Sequence, residues 1–335
     1  MAFFTIFFAL LFEQARPLGA HSSVHKGARA WVLQILRSFD TGQTSAAWLA
    51  WSLMVLVPAL LTVAVHWLLV VQDNWPAWLL LFIAHIAVLY FTLGFRQFSM
   101  YFSTIRDAMA AGDEATARAA LARWTYVVPN KALSGGDVLR RVLAQSALSA
   151  HVHVFGVMVS YCLGAALGLG PAGAVIYRMA ELVARACAHY TDKAQAQPGA
   201  AHVVSSAMLN VAQKCWFGLD WLPARISALL FAIVGNFEEA IDGWRKYTPQ
   251  ATAADSSGLI LAATAGALNL NLGVTIGAEA GAEGGEGGEG AAAEPANPDR
   301  DEPKLAHMQA VVGLVWRAVV VWMTLLALFT VARLS

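Results

Sequence analysis

The sequence predicts an all-α, polytopic integral membrane protein with about four to six membrane helices, a cytoplasmic helical hairpin and a disordered acidic linker. Three observations carry that reading. Hydrophobic residues make up 58% of the 335 positions and charged residues only 13%, about half of the roughly 25% found in soluble domains. No Asp, Glu, Lys or Arg lies between Asp40 and Asp73, between Asp73 and Arg96, or between Arg141 and Arg178. Each gap exceeds the roughly 20 residues that cross a bilayer as a helix. The charges are also sorted: residues 279–302 hold eight acids and one base, so at zero net charge the rest of the chain carries +7. A basic body suits the anionic cytoplasmic leaflet, and nothing in it forms a nucleic-acid stripe. The partner it implies is the lipid bilayer.

Residues 1–45 form an apolar and amphipathic N-terminal segment. The run 2–12 is apolar but too short to span, and it lacks the basic start and small-residue cleavage site of a signal peptide. It predicts a short helix, packed or interfacial. Residues 21–39 then place Lys26, Arg29 and Arg37 beside Trp31, Leu33, Ile35 and Leu36 as an amphipathic stretch. A transmembrane hairpin occupies 46–95, with spans at 46–71 and 76–95. Trp67, Trp75 and Trp78 lie near its turn, where an aromatic belt forms.

Residues 96–145 read as a cytoplasmic helical segment, with helices over 104–111 and 113–124 about Gly112. Asp113 is the N-cap of the second, and Glu114 suits the positive end of its dipole. Seven bases and four acids lie in 96–141, four bases precede Ala46, and the turn at Asp73 has none. The positive-inside rule then puts the N-terminus and this segment in the cytoplasm.

A transmembrane and interfacial core covers 146–278. A third span, rich in Gly and Ala, lies within 148–176, and an amphipathic helix follows over 177–190. Asp220 and Arg225 flank Pro223, predicting a membrane-entry elbow before a short apolar helix. Residues 256–278 carry no charge but much Gly, Ala, Thr and Asn, which suits a helix buried in protein or a re-entrant segment. Residues 279–305 are a Gly/Glu linker that cannot bury enough apolar surface to fold. A C-terminal transmembrane helix occupies 306–335, with its span at 308–332 and Arg317 near one end to snorkel.

Few soluble-enzyme motifs are present. No phosphate-binding glycine loop occurs, and Ser134-Gly135-Gly136-Asp137 reads as a turn and helix cap. Cys162, Cys187 and Cys215 form no pair motif and read as buried small hydrophobes. His21 and His25 share a helix face but have no third ligand nearby, so they read as a solvated or interfacial pair rather than a zinc site. His151 and His153, two apart, face opposite ways on a helix and read as headgroup-level residues at the start of the third span. No metal site is predicted.

The charged groups beside apolar helices are more informative. Glu181 lies three residues from Arg178 and four from Arg185, so the three can form one ladder. Asp220 and Arg225 flank the proline. Two readings stay open: the arginines hold a phosphate or other anion, or Glu181, Arg185 and Asp220 are structural ion-pair members that lock helices together.

Four segments in the same order resemble the CobD/CbiB membrane family of cobalamin biosynthesis. Residues 111–123, AGDEATARAALAR, resemble its soluble helical hairpin, and 170–178, GPAGAVIYR, its G-x-x-G-x-x-x-Y-R segment. Residues 219–229, LDWLPARISAL, resemble N-W-I-P-A-R-L-T-A-L, and 256–268, SSGLILAATAGAL, resemble N-A-G-W-P-x-A-x-x-A-G-A-L. The opening 12–21, FEQARPLGAH, is similar to AmpE, a relative associated with regulation of inducible β-lactamase.

The resemblance implies a synthase that joins an aminopropanol phosphate to adenosylcobyric acid with ATP and magnesium. The family's acids, however, are replaced here. Its G-R-D-T falls on 126–129, its E-N-x-S-D-G on 149–154, the Asn and Asp after Y-R on Glu181 and Ala184, and the Asn of N-A-G-W on Ser256. Tyr177, Arg178, Pro223, Arg225 and Gly258 remain, and Tyr177, Arg178, Arg225 and Gly258 are the ligand-binding candidates the resemblance supplies.

The reading that follows is an AmpE-like regulatory or sensory membrane component with a degraded synthase site, with no cofactor. A cobalamin precursor or a regulatory protein is the partner it suggests. The alternative is a working ATP- and magnesium-dependent adenosylcobinamide-phosphate synthase.

The topology is directly testable. With the native cysteines replaced, Asp113→Cys is expected to resist a membrane-impermeant maleimide in intact cells and to react after permeabilisation. Ready labelling of intact cells would reverse the orientation.

Overall fold

The structure is a computed structural model, and it describes residues 2–15, 23–125, 134–196, 204–247, 256–272 and 300–332. No strand occurs among these residues; one isolated bridge joins Leu270 to Asp301. The helices are, in order, α1 (Ala2–Ala15), α2 (Ser23–Phe39), α3 (Thr44–Val71), α4 (Trp75–Thr92), α5 (Phe95–Ala110), α6 (Glu114–Thr125) and α7 (Gly135–Ala150). A π-turn, His151–Phe155, runs into α8 (Gly156–Ala166), followed by α9 (Ala172–Ala196), α10 (Ser206–Val234), α11 (Phe237–Tyr247), α12 (Ser257–Leu268) and α13 (Leu305–Ala332). Five helices are long and apolar enough to cross a membrane: α3, α4, the continuous Gly135–Ala166, α10 and α13. The chain is an all-α polytopic membrane protein, as its charge gaps predict.

Packing divides it into two compact units of discontinuous sequence. Residues 1–94, 153–223 and 326–335 form the first, and 95–152 with 224–325 the second. In the first, α2 buries Val32, Ile35 and Leu36 at helical spacing against Ala47, Ala50 and Met54 of α3 and Met179 and Val183 of α9. The α3–α4 turn is set by Asn74, which accepts from Ala77 N at 2.9 Å, and by Pro76 in the first turn, where a missing N–H costs nothing. The short α1 packs on α4, with Phe8 edge-on to Phe82 at 6.0 Å. Asp40 clasps the start of α10, accepting from Ser205 N at 2.8 Å and Ser205 Oγ at 2.5 Å.

In the second unit α5, α6 and α7 pack around Ile105, Ala117, Leu121 and Val142. The expected cap is present: Asp113 accepts from Thr116 N at 3.0 Å and from its hydroxyl at 2.6 Å. These bonds, the hydroxyl's first, hold its carboxyl below the usual range. Ser134 caps α7 in the same way, accepting from Asp137 N at 3.2 Å.

Four expectations need correction. The third span does not lie within 148–176. It begins at Gly135 and ends at Ala166, because Gly168 and Gly170, at φ +74° and +59°, turn the chain there before Pro171. The elbow at Pro223 is absent, since α10 runs through it. Proline forfeits one backbone bond, and in an apolar setting the rest of the ladder is worth keeping. His151 and His153 are not at the start of a span but well inside this continuous helix, in the π-turn. The linker ends before 305, because Asn271 N reaches Asp301 O at 2.9 Å and Asp301 N reaches Asn269 O at 3.1 Å. Its residues 279–299 lie outside the described ones.

Of the two readings for 256–278, the buried one holds for the described part. α12 has 12 residues, about 18 Å, and Gly258 to Ala267 are all buried. It lies so close to α11 that a Cβ at Gly266 would stand 2.2 Å from the Glu239 carbonyl oxygen.

Because that neighbour is backbone and cannot swing away, Gly266→Ala is expected to cost about 1–3 kcal/mol through overpacking. A Cβ at Gly313 of α13 meets nothing within 4 Å, so Gly313→Ala should leave stability unchanged or gain about 0.5–1 kcal/mol. Thermal unfolding in detergent distinguishes the two.

Candidate functional site

The first unit assembles a polar cluster along α9. Tyr177 is 1% exposed, and its hydroxyl donates to Asp220 Oδ1 of α10 at 2.7 Å; Asp220 is itself 2% exposed. Trp216, one helical turn before Asp220, packs against the Tyr177 ring with centroids 5.0 Å apart. The tyrosine fits because Gly156 faces it: a Cβ there would be 2.1 Å from the hydroxyl. Burial first, and then the Asp220 carboxylate, push the Tyr177 hydroxyl well above the ordinary tyrosine range, so it stays a neutral donor.

The ladder predicted from spacing is present. Arg178 Nη1 meets Glu181 Oε2 at 3.0 Å, and Arg185 Nη2 meets Glu181 Oε1 at 2.5 Å. Arg178 also donates to His153 Nδ1 at 2.8 Å. A guanidinium has no lone pair to offer, so His153 accepts at Nδ1 and carries its own proton on Nε2. Burial works against the charge on Arg178, and Glu181 is the strongest influence restoring it. His25 of α2 donates from Nε2–H to the Phe91 carbonyl oxygen at 3.1 Å. Burial and then Arg178 depress its basicity. His21, its predicted companion, lies outside the described residues.

The structure thus brings Tyr177, Arg178, Glu181, Arg185 and Asp220 together in the first unit. Asp220, predicted as an ion-pair member, accepts a tyrosine hydroxyl. Arg225 and Gly258 belong to the second unit, where Gly258 admits the Tyr247 ring: a Cβ would stand 1.9 Å from its hydroxyl. There His151 Nδ1 meets Ser227 Oγ at 2.9 Å. Ser256, standing where the resembled family has Asn, keeps its buried Oγ without a partner among the described residues. Residues 126–129, aligned with G-R-D-T, lie outside the described residues. Sequence spacing missed His153 and Trp216, because 25 and 39 residues separate them from their partners and no periodicity links them.

As a site, this cluster suits an anion better than magnesium. Both Glu181 oxygens face guanidinium groups, and Asp220 Oδ1 is held by Tyr177. Among the described residues no set of three His, Cys, Asp or Glu can hold a metal ion. Glu181 and Asp220 are therefore engaged by protein groups rather than open to a magnesium ion.

Glu181→Ala is expected to leave the partly buried Arg178, 17% exposed, without its carboxylate and to cost about 3 kcal/mol. Arg185, whose side chain is 46% exposed, should cost only about 0–1 kcal/mol on truncation to Ala. Detergent unfolding midpoints of the two variants check this.

Comparison with known proteins establishes the family. Residues 12–277 match a family model described as CobD/Cbib protein. A relative in Chromobacterium violaceum, described as cobalamin biosynthesis protein CobD, is 30% identical over 197 residues, spanning 58% of this chain and 57% of that protein. One in Stutzerimonas stutzeri with the same description is 26% identical over 332 residues, 97% of this chain and 96% of its own. No solved structure matches. With a model match across most of its length, the chain belongs to the CobD/CbiB family.

Proposed function

We propose that this protein is a non-catalytic, AmpE-like regulatory or sensory component of the bacterial inner membrane, with its N-terminus in the cytoplasm, and that Arg178 recognises an anionic ligand while Tyr177 holds Asp220 beside it. A cobalamin precursor or a regulatory protein carrying a phosphate or carboxylate is the partner this chemistry takes. One observation carries the reading: the carboxylates beside Arg178 are engaged by protein side chains, Glu181 by two arginines and Asp220 by Tyr177. A synthase would need carboxylates free to hold magnesium beside the phosphate it transfers. Arg225 and Gly258 are proposed, on the family resemblance alone, as ligand contacts of the second unit.

The second reading, an ATP-dependent adenosylcobinamide-phosphate synthase, is favoured by the names of both relatives. Complementation separates the two. Expression in a strain lacking that synthase is expected to give no growth under cobalamin-dependent conditions, with the protein confirmed in the membrane fraction. Rescue would overturn the regulatory reading.

A further inference from the structure

The first unit contains a second polar assembly, apart from the Arg178 cluster, inside the α3–α4 hairpin. His66 Nδ1 of α3 meets His85 Nε2 of α4 at 3.0 Å, and His85 Nδ1 meets the Tyr161 hydroxyl of α8 at 3.0 Å. Tyr161 is 1% exposed and also bonds the Thr5 side chain of α1. Ionisable residues at membrane depth are costly and commonly functional, and here four helices contribute to one chain of hydrogen bonds.

Both imidazoles line a cavity of about 220 Å³, walled by Leu61, Val65, Leu81, Val88 and Pro171. Of the four ring nitrogens three are hydrogen bonded, and only His66 Nε2 has no partner among the described residues. Thr62, also in the wall, gives its hydroxyl to the Pro58 carbonyl at 2.8 Å.

We infer that this cavity binds a neutral amphiphile, one hydroxyl or carbonyl oxygen on an apolar chain, with the oxygen on His66 Nε2. Each competing occupant fails on chemistry. Ordered water makes about three polar contacts, and the wall offers at most two, His66 Nε2 and a remaining lone pair of Thr62 Oγ, among apolar side chains. An anionic head needs a cation, and no Lys or Arg lies between Asp40 and Arg96. A metal ion would find one free ring nitrogen, His66 Nε2, and no group of three ligands among the described residues. The volume lies below the roughly 300–1,000 Å³ of drug-sized sites, so it takes a head and the first part of a chain, with the remainder in the bilayer.

The relay behind His66 explains how one nitrogen serves either oxygen type. For a hydroxyl donor, His66 accepts at Nε2 and donates from Nδ1 to His85 Nε2. His85 then donates from Nδ1 to Tyr161, whose proton points to Thr5. For a carbonyl acceptor every bond reverses: Thr5 donates to Tyr161, Tyr161 to His85 Nδ1, His85 Nε2 to His66 Nδ1, and His66 Nε2–H donates to the ligand. Both states are neutral, and no proton leaves the chain.

The test uses the full-length protein in phosphatidylcholine vesicles with hexadecanol carrying a diazirine and an alkyne. Photolabelling is expected on peptides of α3 and α4. Excess hexadecanol or decylubiquinone should compete, the alcohol and quinone arms identifying which oxygen type is preferred. Hexadecane and hexadecyl phosphate should not compete. His66→Leu should lower labelling by about fivefold, the size of one hydrogen bond. Equal competition by hexadecane or hexadecyl phosphate, measured on the wild-type protein and so independent of any folding defect, would overturn the inference. So would unchanged labelling of a folded His66→Leu variant.

Discussion

A guanidinium cannot give up its proton to escape a dry environment, and Arg178 imposes that condition on everything around it. Its charge sits in a buried cluster, so it must be surrounded by acceptors, and each acceptor must be held by something else. Glu181 supplies one oxygen from one turn further along α9, and Arg185 holds the other from the more exposed side. His153 supplies a lone pair and is thereby confined to one tautomer. Beside them Tyr177 points at Asp220, and Gly156 is the residue small enough to leave it room. Helix order, tautomer and close packing here all follow from a single unavoidable charge.

Much of this was legible in the sequence, for identifiable reasons. Uncharged gaps longer than a bilayer span mark helices whatever the fold, and Asp113 and Ser134 mark helix starts because their side chains replace the missing intrahelical acceptors. The Arg178–Glu181–Arg185 ladder was readable because its geometry is local. The failures are equally physical. Asp137, Arg140 and Arg141 made the start of the third span look like part of a soluble segment, although a charged first turn can head an apolar helix. Pro223, flanked by charges, looked like a break, but one lost backbone bond does not end a 29-residue helix. His153, Trp216 and the His66–His85–Tyr161 chain are tertiary pairings, and nothing in local spacing announces them.

Family membership and chemistry separate here in an instructive way. The residues retained from the family pattern include a tyrosine, an arginine and a glycine with packing or pairing roles visible in this structure. Those roles hold the helices together and would be kept whether or not the chain catalyses a transfer. Fold-level kinship accordingly leaves the activity to be argued from the site.

The π-turn at His151–Phe155 bears on how distant relatives should be superimposed. Such a turn places one extra residue in a helix without breaking it, so the azimuth of every later side chain shifts by roughly a quarter of a revolution against an uninterrupted α-helix. His151 and His153 on this turn, two residues apart and so on different faces, take different partners, Ser227 and Arg178. In a homologue with a regular helix here, a gapless column-by-column alignment would pair side chains that point in different directions. Equivalent functional groups would then sit one column apart, and an apparent substitution at 149–154 would be partly a frame slip in the helix.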